Sequence, residues 1–273
     1  MNMKLSAAAL FEKVRERKPL VHQITNFVTV NDCANATLAI GGSPVMTSSP
    51  KEVEAMVRLA NSLVLNFGTI DDRSLEAMEI AGRTANSLNI PVILDPVGVG
   101  ATPYRTEKAS ELLKKVSVQI IRGNASEIHL LIGGDIVTRG VDSEELAISN
   151  AALAASAANH LNCIVVVSGA IDAVSNGKHT SIIDNGNVLL TDVTGTGCMA
   201  TALIGAFSGI TDDYYAAAVS GISTMSIAGE VAAATQKNHE GTGTFRIRLM
   251  DAISKMDKEM WMKEVNLNEE IAN

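Results

Sequence analysis

SLVLNFGTIDDRSLEAMEIAGRTANSLNIPVILDP, residues 62–96, contains one whole structural unit of this chain. Its two ends, 62–68 and 90–96, are continuous apolar runs that stop at polar residues or glycine. The residues between them, about 72–88, carry apolar side chains at helical spacing. Continuous rather than alternating apolar runs belong to strands covered on both faces, as in a parallel sheet. The unit therefore reads as strand, crossover helix, strand.

The same grammar extends outward from this unit. VQIIRGN (118–124) and CIVVVSG (163–169) are further buried-strand runs, with helical stretches near 105–116, 125–132 and 142–160. The expected fold is a three-layer α/β/α domain around a mostly parallel sheet. The pattern then changes. IDAVSNGKHTSIIDNGNVLLTDV (171–193) holds two Asn-Gly pairs, 176–177 and 185–186, each between β-prone residues. Asn-Gly in that setting is a strong hairpin signal, so an antiparallel meander is expected beside the parallel strands, its last strand leading into Gly195. Helices are expected again near 198–208, 213–234 and 244–257, with one at the N-terminus around Leu5–Phe11. The residues from about 258, rich in glutamate, read as a fraying end. Without linker or repeat, residues 1–273 read as one domain.

Composition narrows the function. Of 273 residues, 47% are hydrophobic, which is enough for a substantial core, and the net charge is −8. The acidic balance and the 3% aromatic content argue against nucleic-acid binding, which needs phosphate-neutralising cations and stacking platforms. No uninterrupted apolar run reaches the roughly 18 residues of a membrane span. The apolar stretch at the N-terminus precedes its basic residues, the reverse of a secretory leader. Three scattered cysteines, Cys33, Cys163 and Cys198, suit a reducing, cytoplasmic setting better than a disulfide framework.

In an open α/β sheet, ligands sit at the carboxyl ends of the strands. Asn66 and Gly68, Asp95, Arg122 and Asn124, and Ser168 and Gly169 stand at four such ends. TDVTGTGCMATALIGAF (191–207) then places Gly195, Thr196 and Gly197 at the start of a helix of small residues. Backbone N–H groups of such a turn, with the helix N-terminus, form an anion hole. Gly195, Gly197 and Ala200 match G-x-G-x-x-A formally. The match comes too late in the chain for a dinucleotide fold, and no Lys-Ser/Thr follows for a P-loop.

Cys198 opens that helix. It is either a small buried side chain or a thiolate favoured by the helix N-terminus, acting as base or nucleophile. Asn124 and Glu127 fit a capping box and equally fit a site where Glu127 organises Mg²⁺ and Arg122 meets phosphate. None of the five histidines pairs with another at metal-ligand spacing.

GNASE (123–127), DPVGVGAT (95–102) and DVTGTGC (192–198) together resemble the ribokinase superfamily, most closely the hydroxyethylthiazole kinases. Cys198 stands where most ribokinase-like enzymes carry the basic Asp, a departure shared with that branch. VHQITNFVTVNDCANATLAIGGSPVM (21–46) is similar to the branch's substrate segment, and the likeness runs over about residues 5–257. The resemblance implies a ribokinase-like fold and ATP-dependent, Mg²⁺-assisted phosphorylation of 5-(2-hydroxyethyl)-4-methylthiazole in thiamine salvage. It implies Asn26, Val28, Met46 and Gly195 at the thiazole and Arg122, Ser168 and Asn124 at ATP. It further implies Glu127 and Asp95 at the metal and Cys198 at the hydroxyl proton. A homotrimer with pockets at subunit interfaces is implied as well. The alternatives are a sister kinase for hydroxymethylpyrimidine or pyridoxal, a Cys198-dependent hydrolase or acyltransferase, and a nucleotide-binding homologue without turnover.

Overall fold

A computed structural model describes residues 3–134 and 148–271. Nine strands form one sheet in the order β2-β1-β3-β4-β5-β6-β7-β8-β9. The strands are β1 (Leu20–Ile24), β2 (Ser43–Val45), β3 (Ser62–Asn66), β4 (Val92–Asp95), β5 (Ile120–Asn124), β6 (Ile164–Ser168), β7 (Asp172–Ser175), β8 (His179–Ile183) and β9 (Leu267–Ile271). Pairings among the first six are parallel and the last three pairings are antiparallel.

The apolar runs are buried on both faces because side chains alternate across a strand. Leu63 and Leu65 of β3 point into one core while Val64 points into the other. Along the chain, α1 (Met3–Ala8), α2 (Leu10–Arg17) and α3 (Val30–Ile40) lie on the Val64 side. The next five lie on the Leu63 side: α4 (Val53–Val57), α5 (Asp72–Ser87), α6 (Pro103–Lys115), α7 (Ala125–Leu131) and α8 (Asn150–Leu161). The last four return to the Val64 side: α9 (Thr196–Ser208), α10 (Tyr214–Ala234), α11 (Thr242–Lys255) and α12 (Lys258–Glu264). The three-layer α/β/α expectation holds. Residues 142–147 of the helix expected at 142–160 lie outside the described residues; the observed helix, α8, starts at Asn150 after the Ser149 cap.

Small residues bring α9 onto the sheet. A methyl group at Gly205 would stand 2.6 Å from a Val64 methyl, and one at Gly221 of α10 would stand 2.6 Å from the Ile204 backbone. Helix α10 is long and apolar enough to cross a membrane, yet most of it is buried inside the protein, as a core helix is.

Three expectations are corrected. Asn176-Gly177 turns β7 into β8, with Gly177 at φ 87°, but Asn185-Gly186 makes no second hairpin. The Asn185 side chain instead binds distant groups: its amide donates to Glu230 and to the Glu264 carbonyl, and its oxygen accepts from the Asn266 N–H. Residues 188–192 consequently form a short 3₁₀ helix, so no strand leads into Gly195. The third antiparallel strand comes from the C-terminus. Residues from 258 form α12 and β9 rather than fraying, because Trp261 is fully buried against Phe11 and donates to Ser223 at 2.7 Å.

Candidate active site

Parallel register gathers the polar strand ends along one edge. Asn66 is the register partner of Asp95, and Asn124 that of Ser168. Helix α9 points its N-terminus at this edge, with Gly195 as N-cap at φ 89°. A methyl group at Gly195 would collide with Thr29 at 2.5 Å, and one at Gly197 would collide with the Arg122 guanidinium at 2.5 Å. The two glycines thus admit the Thr29 side chain on one side of the turn and Arg122 on the other.

Cys198 sits within a chain of amides. Asn26 Oδ1 accepts from the N–H and hydroxyl of Thr29, which fixes Asn26 Nδ2 as a donor to Asn66 Oδ1 at 2.9 Å. Asn66 Nδ2 in turn donates to Asp95 Oδ2 at 2.9 Å. Both amide nitrogens also face the Cys198 sulfur, at 3.4 Å from Asn26 and 3.3 Å from Asn66. The sulfur is therefore an acceptor of two N–H groups.

Those donors do not make it a resting thiolate. Burial holds the Cys198 thiol above its ordinary pKa and the Asp95 charge adds to this, against the hydrogen bonds of Asn66 and Thr29 and the charge of Arg122. Of the two expectations for Cys198, burial supports the thiol neutral at rest, acting against the thiolate that a helix N-terminus favours. No histidine is a hydrogen-bond partner of Cys198 among the described residues, and His22 is turned to Thr47. Cys33 and Cys163 are free thiols pushed up to about 12 by burial.

Asp95 is fully buried. Its Oδ2 accepts from Asn66 and from Thr201 at 2.8 Å and lies 3.8 Å from Arg122, while Oδ1 has no partner. Desolvation raises its pKa to about 6, against the attraction of Arg122. Arg122 donates to Ser168 Oγ at 2.6 Å, and its buried Nε is also unpartnered.

The capping box at Asn124 and Glu127 is formed in both directions. Glu127 Oε2 accepts from the Asn124 N–H, and Oε1 accepts from the Gly98 N–H at 2.8 Å. Glu127 thus ties the loop after β4 to the start of α7. Asn124 directs its side-chain oxygen to the Glu127 N–H, so that oxygen serves the cap. Met46 is half-buried against the same apolar cluster as Cys198, and Val28 is exposed next to buried Asn26.

Two contributors escaped the reading of the sequence. Thr201 reads as one more small helix residue, yet it reaches Asp95. Arg105 reads as a surface cation on α6, yet it donates to the carbonyls of Phe67, Gly68 (2.9 Å) and Val97 (2.9 Å), clamping the loops after β3 and β4.

Residues 11–259 match the model of the hydroxyethylthiazole kinase family. The chain belongs to that family. It is similar to the hydroxyethylthiazole kinase of Ruminiclostridium cellulolyticum, with 46% identity over 95% of this chain and 96% of the relative. It is 47% identical to that of Alkaliphilus oremlandii, over 98% and 100% of the two chains. The structure of the hydroxyethylthiazole kinase protein from Pyrococcus horikoshii OT3 superposes with a TM-score of 0.86 at 38% identity, covering 97% of this chain and 98% of that one. The pyridoxal kinase of Staphylococcus aureus, at 13% identity and a TM-score of 0.61, shares the ribokinase-like fold. The family's members are kinases, and ATP is the co-substrate that the membership implies.

Proposed function

We propose that this chain transfers the γ-phosphoryl group of ATP to the primary alcohol of 5-(2-hydroxyethyl)-4-methylthiazole, forming the thiazole phosphate used in thiamine synthesis. One observation carries the reading: the Cys198 sulfur, the Gly195–Gly197 turn and the Arg122 guanidinium converge at the N-terminus of α9. Phosphoryl transfer asks mainly for positioning and for stabilisation of spread negative charge. The turn at Gly195, Thr196 and Gly197 supplies N–H groups, and Arg122 with Ser168 and Asn124 receives the phosphates of ATP.

The alcohol lies against Cys198, with Asn26, Val28, Met46 and Gly195 around the thiazole. Cys198 orients the hydroxyl and takes its proton late, when transfer is well advanced. Only the thiolate can take that proton, so the thiol, neutral at rest, first loses its own proton to solvent; the two amide donors at the sulfur stabilise the anion so formed, and the transfer returns it to the thiol. Asp95, held by Asn66 and Thr201, lies 3.8 Å from Arg122 beside the turn.

Mg²⁺ fits the acidic residues present. Among the described residues no cluster of three or more His, Cys, Asp or Glu side chains could hold a metal, but Mg²⁺ on a nucleotide needs only one or two carboxylates besides phosphates and water. The unpartnered Oδ1 of Asp95 and the Glu127 carboxylate, whose oxygens each accept one backbone N–H, would provide them. When bound, the ion neutralises phosphate charge.

Phe27 and Val28, exposed beside the site, support closure by a neighbouring subunit in a homotrimer. Three free thiols suit a cytoplasmic setting, and the whole chain acts as one kinase domain. A coupled assay of ATP consumption, with and without Mg²⁺, tests the proposal against a panel of thiazole alcohol, hydroxymethylpyrimidine and pyridoxal. Turnover confined to the pyrimidine or to pyridoxal would replace the substrate; ATP binding without turnover on any of them would remove the activity.

A further inference from the structure

Asp172 is the first residue of β7, only 4% exposed, and the mechanism above makes no use of it. Its Oδ1 accepts from the Gly169 N–H at 3.0 Å and its Oδ2 accepts from Ser226 of α10 at 2.7 Å. Neither partner is charged, and no Lys or Arg lies within ion-pair distance among the described residues. A buried carboxylate held by neutral donors alone costs stability, a cost that a role for the charge would account for. The cationic group that acts on it through space is the Arg122 guanidinium.

Arg122 therefore lies in the field of two buried carboxylates, Asp95 on the β4 side and Asp172 on the β7 side. Asp95 approaches to 3.8 Å, short of a close ion pair, while the Arg122 Nη2 keeps its 2.6 Å bond to Ser168. Ser168 immediately precedes Gly169, the residue Asp172 binds. The same carboxylate thus fixes the turn that carries Ser168, the acceptor that holds Arg122.

We propose that Asp172 is a positioning residue for ATP: its charge balances Asp95 and holds Arg122 at Ser168, over the Gly197 backbone, where the phosphates bind. This rests on the reading of Arg122 as a phosphate-binding residue. Without the charge, Arg122 closes on Asp95 and leaves the phosphate position.

Asp172→Asn isolates the charge, because its oxygen still accepts from Gly169 while Ser226 turns its hydroxyl to the Ile222 carbonyl, already 3.2 Å away. The expected result is a rise of roughly five- to twentyfold in the KM for ATP, with the KM for the thiazole alcohol within twofold of wild type. In an Arg122→Ala background, Asp172→Asn should change the KM for ATP no further. Equal effects of D172N in both backgrounds would overturn the proposal. An Arg122→Ala variant with wild-type KM for ATP would instead overturn the phosphate reading of Arg122 on which it rests. Ser226→Ala keeps the charge and removes only the bond to α10, so its KM for ATP should stay within twofold of wild type. A rise matching that expected for D172N would make Asp172 a structural tie and overturn the proposal even if D172N does not fold.

Discussion

The Nδ2 of Asn66 stands 3.3 Å from the sulfur of Cys198, a residue 132 positions away in the chain. The same nitrogen donates to Asp95, so one amide connects Cys198, proposed to face the alcohol, with the carboxylate beside Arg122. Asn66→Ala should therefore lower kcat more than it alters either KM. It leaves Asp95 with Thr201 as its sole uncharged donor and leaves Asn26 Nδ2 without its oxygen acceptor. An unsatisfied buried polar group costs about 1–3 kcal/mol. Thermal melting should fall accordingly, and steady-state kinetics at saturating ATP should give a kcat about tenfold or more below wild type. A variant that loses stability but keeps kcat would make Asn66 a structural residue only.

Gly197→Ala tests the approach of Arg122 to the turn. The added methyl would stand 2.5 Å from Nη1 and 2.8 Å from Nη2, so the guanidinium must move. Gly197 is helical and tolerates a side chain conformationally, so folding should survive. The KM for ATP should rise in the same direction as in Arg122→Ala, where the lost charge-assisted bond is worth about 1.5–3 kcal/mol. Thiazole affinity should stay near wild type, and titration of both substrates by calorimetry would reveal a general collapse of the site if both weakened together.

Asp172 gives a pH-dependent stability with a definite sign. Burial raises its pKa from 3.8 to about 6, so the folded state holds the proton longer than the unfolded chain does. Between pH 4 and 6 the unfolded state is the one that has lost a proton, and stability must fall as pH rises through this window. A shift of that size is worth on the order of 3 kcal/mol, present as a penalty above pH 6 and absent below pH 4. Asp172→Asn should gain on wild type in urea unfolding as pH rises from 4 to 7. A stability difference independent of pH would rule out a buried, ionised Asp172.

The sequence carries the fold and the rim of the site because both depend on local pattern. Apolar runs that end in Asn66, Asp95, Asn124 and Ser168 are strands, and a parallel sheet aligns their ends. What escapes it depends on long-range partners. Asn185-Gly186 has the local chemistry of a hairpin, but its side chain is claimed by Glu230, Glu264 and Asn266. The acidic tail hides one fully buried tryptophan that outweighs its charges. Thr201 and Arg105 lie on helices in the usual places for packing and surface residues; only the folded chain brings them to Asp95 and to the loops after β3 and β4. The protonation of Cys198 escapes for the same reason, since a helix N-terminus is visible in a sequence and desolvation is not.

Cys198 itself gives the sharpest test. Cys198→Asp should remain an active kinase, whereas Cys198→Ala should be slower without being dead. Two amide nitrogens face the sulfur, from Asn26 and Asn66, and an acceptor is what they require. A carboxylate can accept from both, and the Gly195–Gly197 turn adds N–H groups that favour negative charge. Asp95 opposes a second carboxylate nearby, so the introduced acid should titrate above its ordinary range, yet still below the buried thiol, and the acid limb of kcat should move to lower pH than in wild type. Alanine keeps the turn, Arg122 and Asp95 but offers neither acceptor nor base. General-base contributions are typically about 10²–10⁴-fold, and a loose transition state needs proton removal late, which places the loss toward the lower end. A covalent thiol mechanism predicts that both variants are inert. Thiazole phosphate formation by wild type, C198D and C198A separates the cases, and a folded but inactive C198D would remove the proton-accepting role from this position.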